Sequence, residues 1–474
     1  MRGPDEPVRR WGWRYLPALL TLAACTGTAD ADALRKAWLV DAIVDDNRVW
    51  LSRDPTLLAT KYDKMGDDPY DFMRGTAAVF LRDLARAGTD RAPTAFLTDP
   101  EAAEVLLAGD PHPENIGTLS PTEGVLLLEL NDFDGSAFGP YLLDLRRMLV
   151  GVAYLGDEGR CGSDCAERLV RATTEAYLRE LVSGYPWTSG LVDGRVDPVT
   201  QTLLDDVIEE GLGRERLLEY TQQIGAGRRF RIDPTLDDGR GIRPLDTEER
   251  RQLQRLLSRW SGAPAGFRVL DQARRYGSGV ASLPAVRYVV AYDTGDDDPG
   301  DDGLLSIREV VDPPAVPGVH AGAPAYWDDH GHRIEDTART MWSRPDADPH
   351  YAGLVDGPMT FKVQTMSSWH NSFDHTKILR DVDRAFLTVD DLEAWCTTLG
   401  QLLARAHARS PTARGGRAGE AILRDIGGAG EAFVAERVRD ALADRRQLRT
   451  DHRLFHEARD ELGALLGADL LEDR

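Results

Sequence analysis

Residues 109–117 read GDPHPENIG, and residues 131–134 read NDFD. The first string sets Asp110 five residues before Asn115, with His112 between them. The second sets Asp132 at the end of a mostly apolar run, residues 125–130. Phosphoryl transfer needs one carboxylate to orient an attacking hydroxyl. It also needs an amide and a second carboxylate to hold magnesium on the phosphates. An Asp-x4-Asn loop, a short strand and a strand-terminal Asp supply those three groups. Asp110 is therefore the candidate base, with His112 beside it in the catalytic loop. Asn115 and Asp132 are the candidate magnesium ligands, since magnesium favours oxygen donors and shares its shell with phosphates and water. Either string alone would also serve as a polar turn, with Asp134 as a cap. Their combination across one hydrophobic strand, with Asp144 twelve residues beyond Asp132, carries the reading.

Working outward, residues 274–284 read RRYGSGVASLP. Glycines allow a backbone to approach phosphate oxygens and present N–H groups, so Gly277, Ser278 and Gly279 are the candidate phosphate cover. A bare Gly-Ser-Gly is also a hairpin turn. The strand-like stretch that includes Arg308 and Glu309 follows. A nucleotide site of this type places a cation on such a strand, paired with a helical Glu. Arg308 takes that place and Glu335 is its candidate partner; Lys362, on a later strand, is a rival cation. Arg is forked and bulkier than Lys, so the two are not interchangeable at a tight phosphate site. The chain has only five lysines, however, which weakens any argument from an Arg at one position.

Apolar periodicity predicts helices over 34–51, 71–87, 141–155, 390–410 and 418–466, and mostly helix over 165–260 with a loop near 225–242. Short β-rich runs are expected at 105–108, 125–130, 286–292, 304–311 and 359–366, with a further helix at 335–342. The expected class is α+β. At 474 residues the chain exceeds one compact core, so two units are expected. A net charge of −22 argues against nucleic acid as a partner, because phosphate neutralisation needs clustered cations.

Arg9, Arg10 and Arg14 precede an apolar stretch, 15–24, that ends in Leu22-Ala23-Ala24-Cys25. A basic segment, a short apolar segment and small residues before a cleavage point mark an export signal. The last four residues resemble a bacterial lipoprotein box, which would make Cys25 the lipidated residue and a lipid anchor the only link to a membrane. An ordinary secretory signal and a buried N-terminal helix are the alternatives. Residues 26–33 are small and polar and read as a tether. Export would let Cys161 and Cys165 oxidise.

The strings Phe72-Met73-Arg74-Gly75, GDPHPENIG, NDFDGSAFGPYLLDLRR (131–147), RRYGSGVASLP and LLARAHARS (402–410) together resemble the kinase-like superfamily of aminoglycoside phosphotransferases and choline kinases. More closely, they resemble the bacterial family called domain of unknown function 2252. The resemblance implies a bilobal protein-kinase-like fold with Mg2+ and ATP as cofactors and an unknown hydroxyl acceptor. Its large helical lobe, with the catalytic and metal-binding hairpin, would span 51–266, its β-rich nucleotide-binding lobe 267–370, and a C-terminal helical segment 371–474. The catalytic loop precedes the Gly-rich loop, which implies circular permutation; the helix containing His407 resembles the one that ordinarily precedes the catalytic loop. Arg308 stands where the resemblance leads one to expect Lys, and export would put the site where ATP is scarce. A non-catalytic, ligand-binding envelope protein is the alternative. A metallophosphoesterase ranks last, since Asp110-Pro111-His112 is not followed by the other ligands its two-metal chemistry needs.

Overall fold

The computed structural model describes residues 28–85, 94–122, 124–158, 164–183, 196–224, 227–233, 241–295, 302–311, 319, 327 and 329–468. The export segment and Cys25 lie outside these residues. The protein is α+β. The chain opens with helices α1 (Thr28–Asp46), α2 (Arg48–Arg53), α3 (Pro55–Asp67), α4 (Pro69–Gly75) and α5 (Ala77–Ala85). Strands β1 (Val105–Leu107), β2 (Ile116–Leu119), β3 (Leu127–Leu130) and β4 (Ala137–Gly139) follow, then α6 (Leu142–Glu158), α7 (Cys165–Ser183), α8 (Pro198–Gly213) and α9 (Glu215–Tyr220). Next come β5 (Thr221–Ile224), β6 (Gly227–Phe230), β7 (Gly241–Pro244), α10 (Thr247–Arg259), β8 (Arg268–Tyr276), β9 (Arg287–Asp293) and β10 (Gly303–Val310). The remainder is α11 (His330–Met341), β11 (Ala352–Asp356), β12 (Met359–Thr365), α12 (His375–Asp383), α13 (Val389–Arg409), α14 (Ala418–Ile426) and α15 (Gly430–Leu462). Among the described residues no helix is long and apolar enough to cross a membrane.

Two bodies face each other. The helical body is built around α13, whose buried Leu392, Trp395, Cys396, Leu399 and Leu403 pack with α6 and α7. A second apolar cluster joins α1–α5 to the end of α15 through Ile43, Tyr62, Met65, Phe72 and Phe455. The other body is a six-stranded antiparallel sheet in the order β11-β12-β10-β9-β8-β7. Its strands alternate with period two. Tyr288, Val290, Leu305, Ile307, Phe361 and Val363 point to one face, where Leu253, Leu256 and Trp260 of α10 and its C-cap cover them. Arg287, Ser306, Arg308, Lys362 and Gln364 occupy the opposite phase and line the cleft toward the helical body.

Several sequence expectations shift. The expected tether is already helical from Thr28. The stretch 34–51 breaks at Asn47, whose buried side chain hydrogen-bonds the Ile43 carbonyl and Lys61 instead of continuing the helix. The 71–87 stretch splits at Thr76, and 418–466 splits at Gly427, which adopts φ +53°. The expected loop near 225–242 contains β6 and the start of β7, the sheet's edge strand, while β5 falls in the stretch expected to be helical, so the sheet begins before residue 267. The short strands β2, β4 and β11 are not among the expected elements. Cys165 is disulfide-bonded; Cys161 lies outside the described residues.

Candidate functional site

The four short strands place the two motifs. β1 pairs with β4, and β2 pairs with β3. The segments 108–115 and 131–136 each connect one pair to the other, so the topology forces them to run side by side. The backbone N–H of Asn131 donates to the Asn115 carbonyl at 3.1 Å. Farther along, the two segments meet backbone to backbone. Gly109 has φ +99°, and a Cβ there would fall 2.1 Å from the Gly135 carbonyl oxygen. Only glycine permits that approach.

The loop holding Asp110 is fixed from helix α6. The buried Asp144 carboxylate accepts the N–H of Ala108 at 2.7 Å and of Gly109 at 2.9 Å. Asp144 Oδ2 also lies 3.2 Å from His407 Nε2, and His407 Nδ1 lies 2.8 Å from the Tyr177 hydroxyl. One turn beyond Asp144, the buried Arg147 donates from Nε to Asp110 Oδ1 at 2.7 Å and from Nη2 to the Met73 carbonyl at 3.0 Å. His112 lies behind the loop. It is buried edge-on against Tyr70, its Nε2 is 4.0 Å from Asp110 Oδ2, and its Nδ1 has no hydrogen-bond partner among the described residues. Burial pushes its imidazole down to about 4, so it is neutral at physiological pH.

Asn115 donates from Nδ2 to the Asp110 carbonyl at 2.8 Å. Asp132 and Asp134 face the sheet. Lys362 Nζ reaches Asp132 Oδ1 and Asp134 Oδ1, each at 2.8 Å, and Arg308 Nη2 reaches Asp134 Oδ2 at 2.6 Å and Asp132 Oδ1 at 3.3 Å. Burial opposes ionisation of Asp132, but Lys362 and Arg308 outweigh it and hold its carboxyl far below the usual carboxylate range. Arg308 and Lys362 are not rivals. They are register partners on adjacent strands, β10 and β12, and point to the same carboxylates. The expected Arg308–Glu335 pair does not form. Glu335 accepts from Arg339 Nε at 3.0 Å and from the Gly353 N–H at 2.9 Å, because its helical position faces β11. The α11 residue that reaches the site is the buried Arg333, which donates to the carbonyls of Asp134 and Ser136.

The turn after β8 projects toward both loops. Gly277 and Gly279 adopt φ +74° and +81°. Val280 and Ala285 are buried in the apolar cluster of α1–α5, which anchors the turn on the helical body. Gly279 and Ser282 line a cleft of about 360 Å³ together with Asn115, Asp132, Arg308 and Lys362. On the other side Gly279 and Ser282 also line a smaller cavity of about 190 Å³ with Asp110, Asp132, Ala77 and Leu81. Segment 366–373 closes the first cleft. It returns from β12 to the helical body and adds an irregular strand beside β2, with the Thr118 N–H donating to the Asn371 carbonyl at 2.7 Å.

Sequence reasoning passes over Arg147, Arg287 and the ligand-like position of Asp134. A period-two count along β9, β10 and β12 would put Arg287, Arg308 and Lys362 on the phase opposite Tyr288, Val290, Leu305, Ile307, Phe361 and Val363.

These features define an α+β protein with a cleft between a helical body and an antiparallel sheet, with carboxylates on one wall and cations on the other. Over residues 53–458 the chain matches the family described as an uncharacterized protein conserved in bacteria, domain of unknown function 2252, and it belongs to that family. No curated protein and no solved structure matches it.

Proposed function

We propose that the protein is a magnesium- and ATP-dependent phosphotransferase of kinase-like, circularly permuted architecture, acting on a hydroxyl acceptor. The observation that carries this reading is the convergence of Asp110, Asn115, Asp132 and Asp134 on two clamped loops. They sit under a glycine turn and opposite the cations of β10 and β12.

The residues present suit magnesium. Asp132 is ionised, Asp134 lies beside it, and Asn115 commits its Nδ2 to a carbonyl, which leaves the amide oxygen uncommitted among the described residues. These oxygen donors would hold the ion, which when bound neutralises phosphate charge. Arg308 and Lys362 would exchange carboxylate for phosphate oxygens. The Gly277–Gly279 turn would cover the phosphates with backbone N–H groups. Asp110 would accept the proton of the acceptor hydroxyl through Oδ2, since Arg147 occupies Oδ1. The cavity between Asp110 and the Ala77–Leu81 face of α5 is the candidate entry for that acceptor.

The test is thermal melting of residues 26–474 with ATP, ADP and GTP, with and without magnesium, followed by turnover assays. A tenfold excess of ATP over Kd with magnesium is expected to add about 1.4 kcal/mol of stability. Unchanged melting with every nucleotide would remove the reading. Binding without turnover would make the protein a non-catalytic nucleotide-binding module of the envelope. Export with acylation of Cys25 belongs to the same proposal. Mass spectrometry finding an unmodified Cys25 or a retained Met1 would overturn it.

A further inference from the structure

Among the described residues, the cleft wall holds a buried cation that no ion pair neutralises. Across the sheet, Arg275 on β8 is the register partner of Arg287 on β9, Arg287 of Arg308 on β10, and Arg308 of Lys362 on β12. Adjacent strands lie about 4.8 Å apart, so the last three cations form a row roughly 10 Å long. Arg308 and Lys362 are matched by Asp132 and Asp134. Arg287 is not matched. Among the described residues it forms no ion pair. Its Nη2 has only the Ser278 carbonyl and the Ser282 hydroxyl, both at 3.5 Å, the outer limit of a hydrogen bond. Burial and the neighbouring Arg308 and Arg275 push its guanidinium well below the ordinary arginine value. The buried hydroxyl of Ser278, in the same turn, also lacks a hydrogen-bond partner among the described residues.

A guanidinium held between two like charges, with no ion pair among the described residues and only a weaker, longer-range pull from Asp134 and Asp132, opposes folding of the empty protein. Such a group is retained where a ligand completes it, and functional sites are where this kind of stability is forgone. The missing partner must be anionic, must reach under the 277–282 turn, and must extend along the row toward Arg308 and Lys362. A chain of phosphates meets all three requirements, and the guanidinium fork suits phosphate oxygens in particular.

We infer that Arg287 is a phosphate-binding residue that, with Arg308 and Lys362, seats a chain of two or more phosphates beneath the 277–282 turn. This deepens the nucleotide reading above and rests on its placement of phosphates in this cleft.

The test uses inorganic tripolyphosphate, ATP with magnesium, and adenosine as probes on wild type, Arg287→Met and Arg287→Lys, by calorimetric titration and thermal melting. Tripolyphosphate is expected to bind wild type, more weakly as salt rises. Arg287→Met should lose at least tenfold in affinity for tripolyphosphate, and Arg287→Lys should lose less. Ligand-free Arg287→Met should melt at or above wild type, because an uncompensated charge has been removed. A loss of under tenfold, no binding of tripolyphosphate by wild type, or a ligand-free Arg287→Met that melts below wild type would each overturn the inference. The two readings separate cleanly. Tripolyphosphate binding without any response to ATP or adenosine keeps the seat and sinks the nucleotide. Undiminished ATP binding by Arg287→Met keeps the nucleotide and sinks the seat.

Discussion

Arg147 donates from Nε to Oδ1 of Asp110 at 2.7 Å, and it does so from the same face of α6 that carries Asp144, the acceptor for the two N–H groups just before Asp110. Positions three apart on a helix project together. One helical turn therefore fixes both the backbone and the carboxylate of the candidate base. The loop needs this support because it is short, polar and pressed by Gly109 against Gly135.

Asp110→Asn should abolish turnover while leaving nucleotide binding nearly intact, because the carboxylate acts on the acceptor and not on the phosphates. A positioned base contributes about 10²–10⁴ to the rate. Turnover within roughly tenfold of wild type would remove the role assigned to Asp110. Arg147→Met should lower turnover as well, and should cost about 3 kcal/mol in urea unfolding, since it strands a partly buried carboxylate.

Asp144→Asn tests the backbone side of the same device. The Asp144 carboxylate, at the protein interior, accepts from two N–H groups and faces His407. An amide has one acceptor oxygen and so abandons at least one partner, at a cost of about 1–3 kcal/mol. Urea unfolding should show that loss. Turnover should fall with little change in nucleotide Kd, because Asn115, Asp132 and the sheet cations are untouched. A large rise in nucleotide Kd would show that Asp144 supports the cleft as a whole and not the Asp110 loop.

Much of this site is legible in the amino-acid sequence, for identifiable reasons. Asp110, Asn115 and Asp132 stand out because a loop, a strand and a strand end bring them together over a short span, and local spacing survives folding. The α+β class follows from short β-rich runs set among longer stretches of helical period. Arg308 and Lys362, 54 residues apart, read as rivals because sequence does not state register; β10 and β12 pair only once α11 and β11 have intervened. Glu335 is misassigned for a similar reason. Helical periodicity gives a face but not its neighbour, and the face of α11 carrying Glu335 packs on β11. The β5–β6 hairpin and β7 are hidden by their polar, Gly- and Arg-rich composition, which strand propensity disfavours.

Acid should weaken the protein earlier than its carboxylates require. His112 titrates at about 4 in the fold against an ordinary 6.5. Its neutral form is thus favoured by folding. The stability it contributes is complete above pH 6.5 and is lost as pH falls from 6.5 toward 4. At about 1.4 kcal/mol per unit this is on the order of 3 kcal/mol. His350, His370 and His452 are also lowered by burial and act in the same sense, while His375 is raised by its bond to Glu114 and acts in the opposite one. Comparison with His112→Leu cancels those shared contributions. Urea unfolding between pH 7 and 4.5 should show the wild-type curve falling more steeply than the variant's. Parallel curves would remove the assignment.

The charge pair across the cleft gives the most discriminating experiment. Asp132 and Asp134 together face Lys362 and Arg308, and Lys362 is almost wholly buried. Removing either member of the Asp132–Lys362 pair leaves its partner desolvated and short of charge, which costs more than the pair itself gains. Asp132→Asn and Lys362→Met should each destabilise the ligand-free protein. The double variant should be more stable than the two losses added together predict, with a coupling of about 0.5–3 kcal/mol. Nucleotide binding should follow a different pattern. Each single change removes a group that would contact the magnesium or the phosphates, so each should weaken ATP binding at least tenfold, and the double variant should not recover it. Arg308→Lys should retain binding, because an ammonium at 308 can still reach phosphate oxygens although it loses the planar guanidinium whose Nη2 now touches both carboxylates. Strict additivity in stability would show that the pair is not coupled. Recovery of ATP binding in the double variant would show that Asp132 and Lys362 serve the empty fold, and that the nucleotide lies elsewhere.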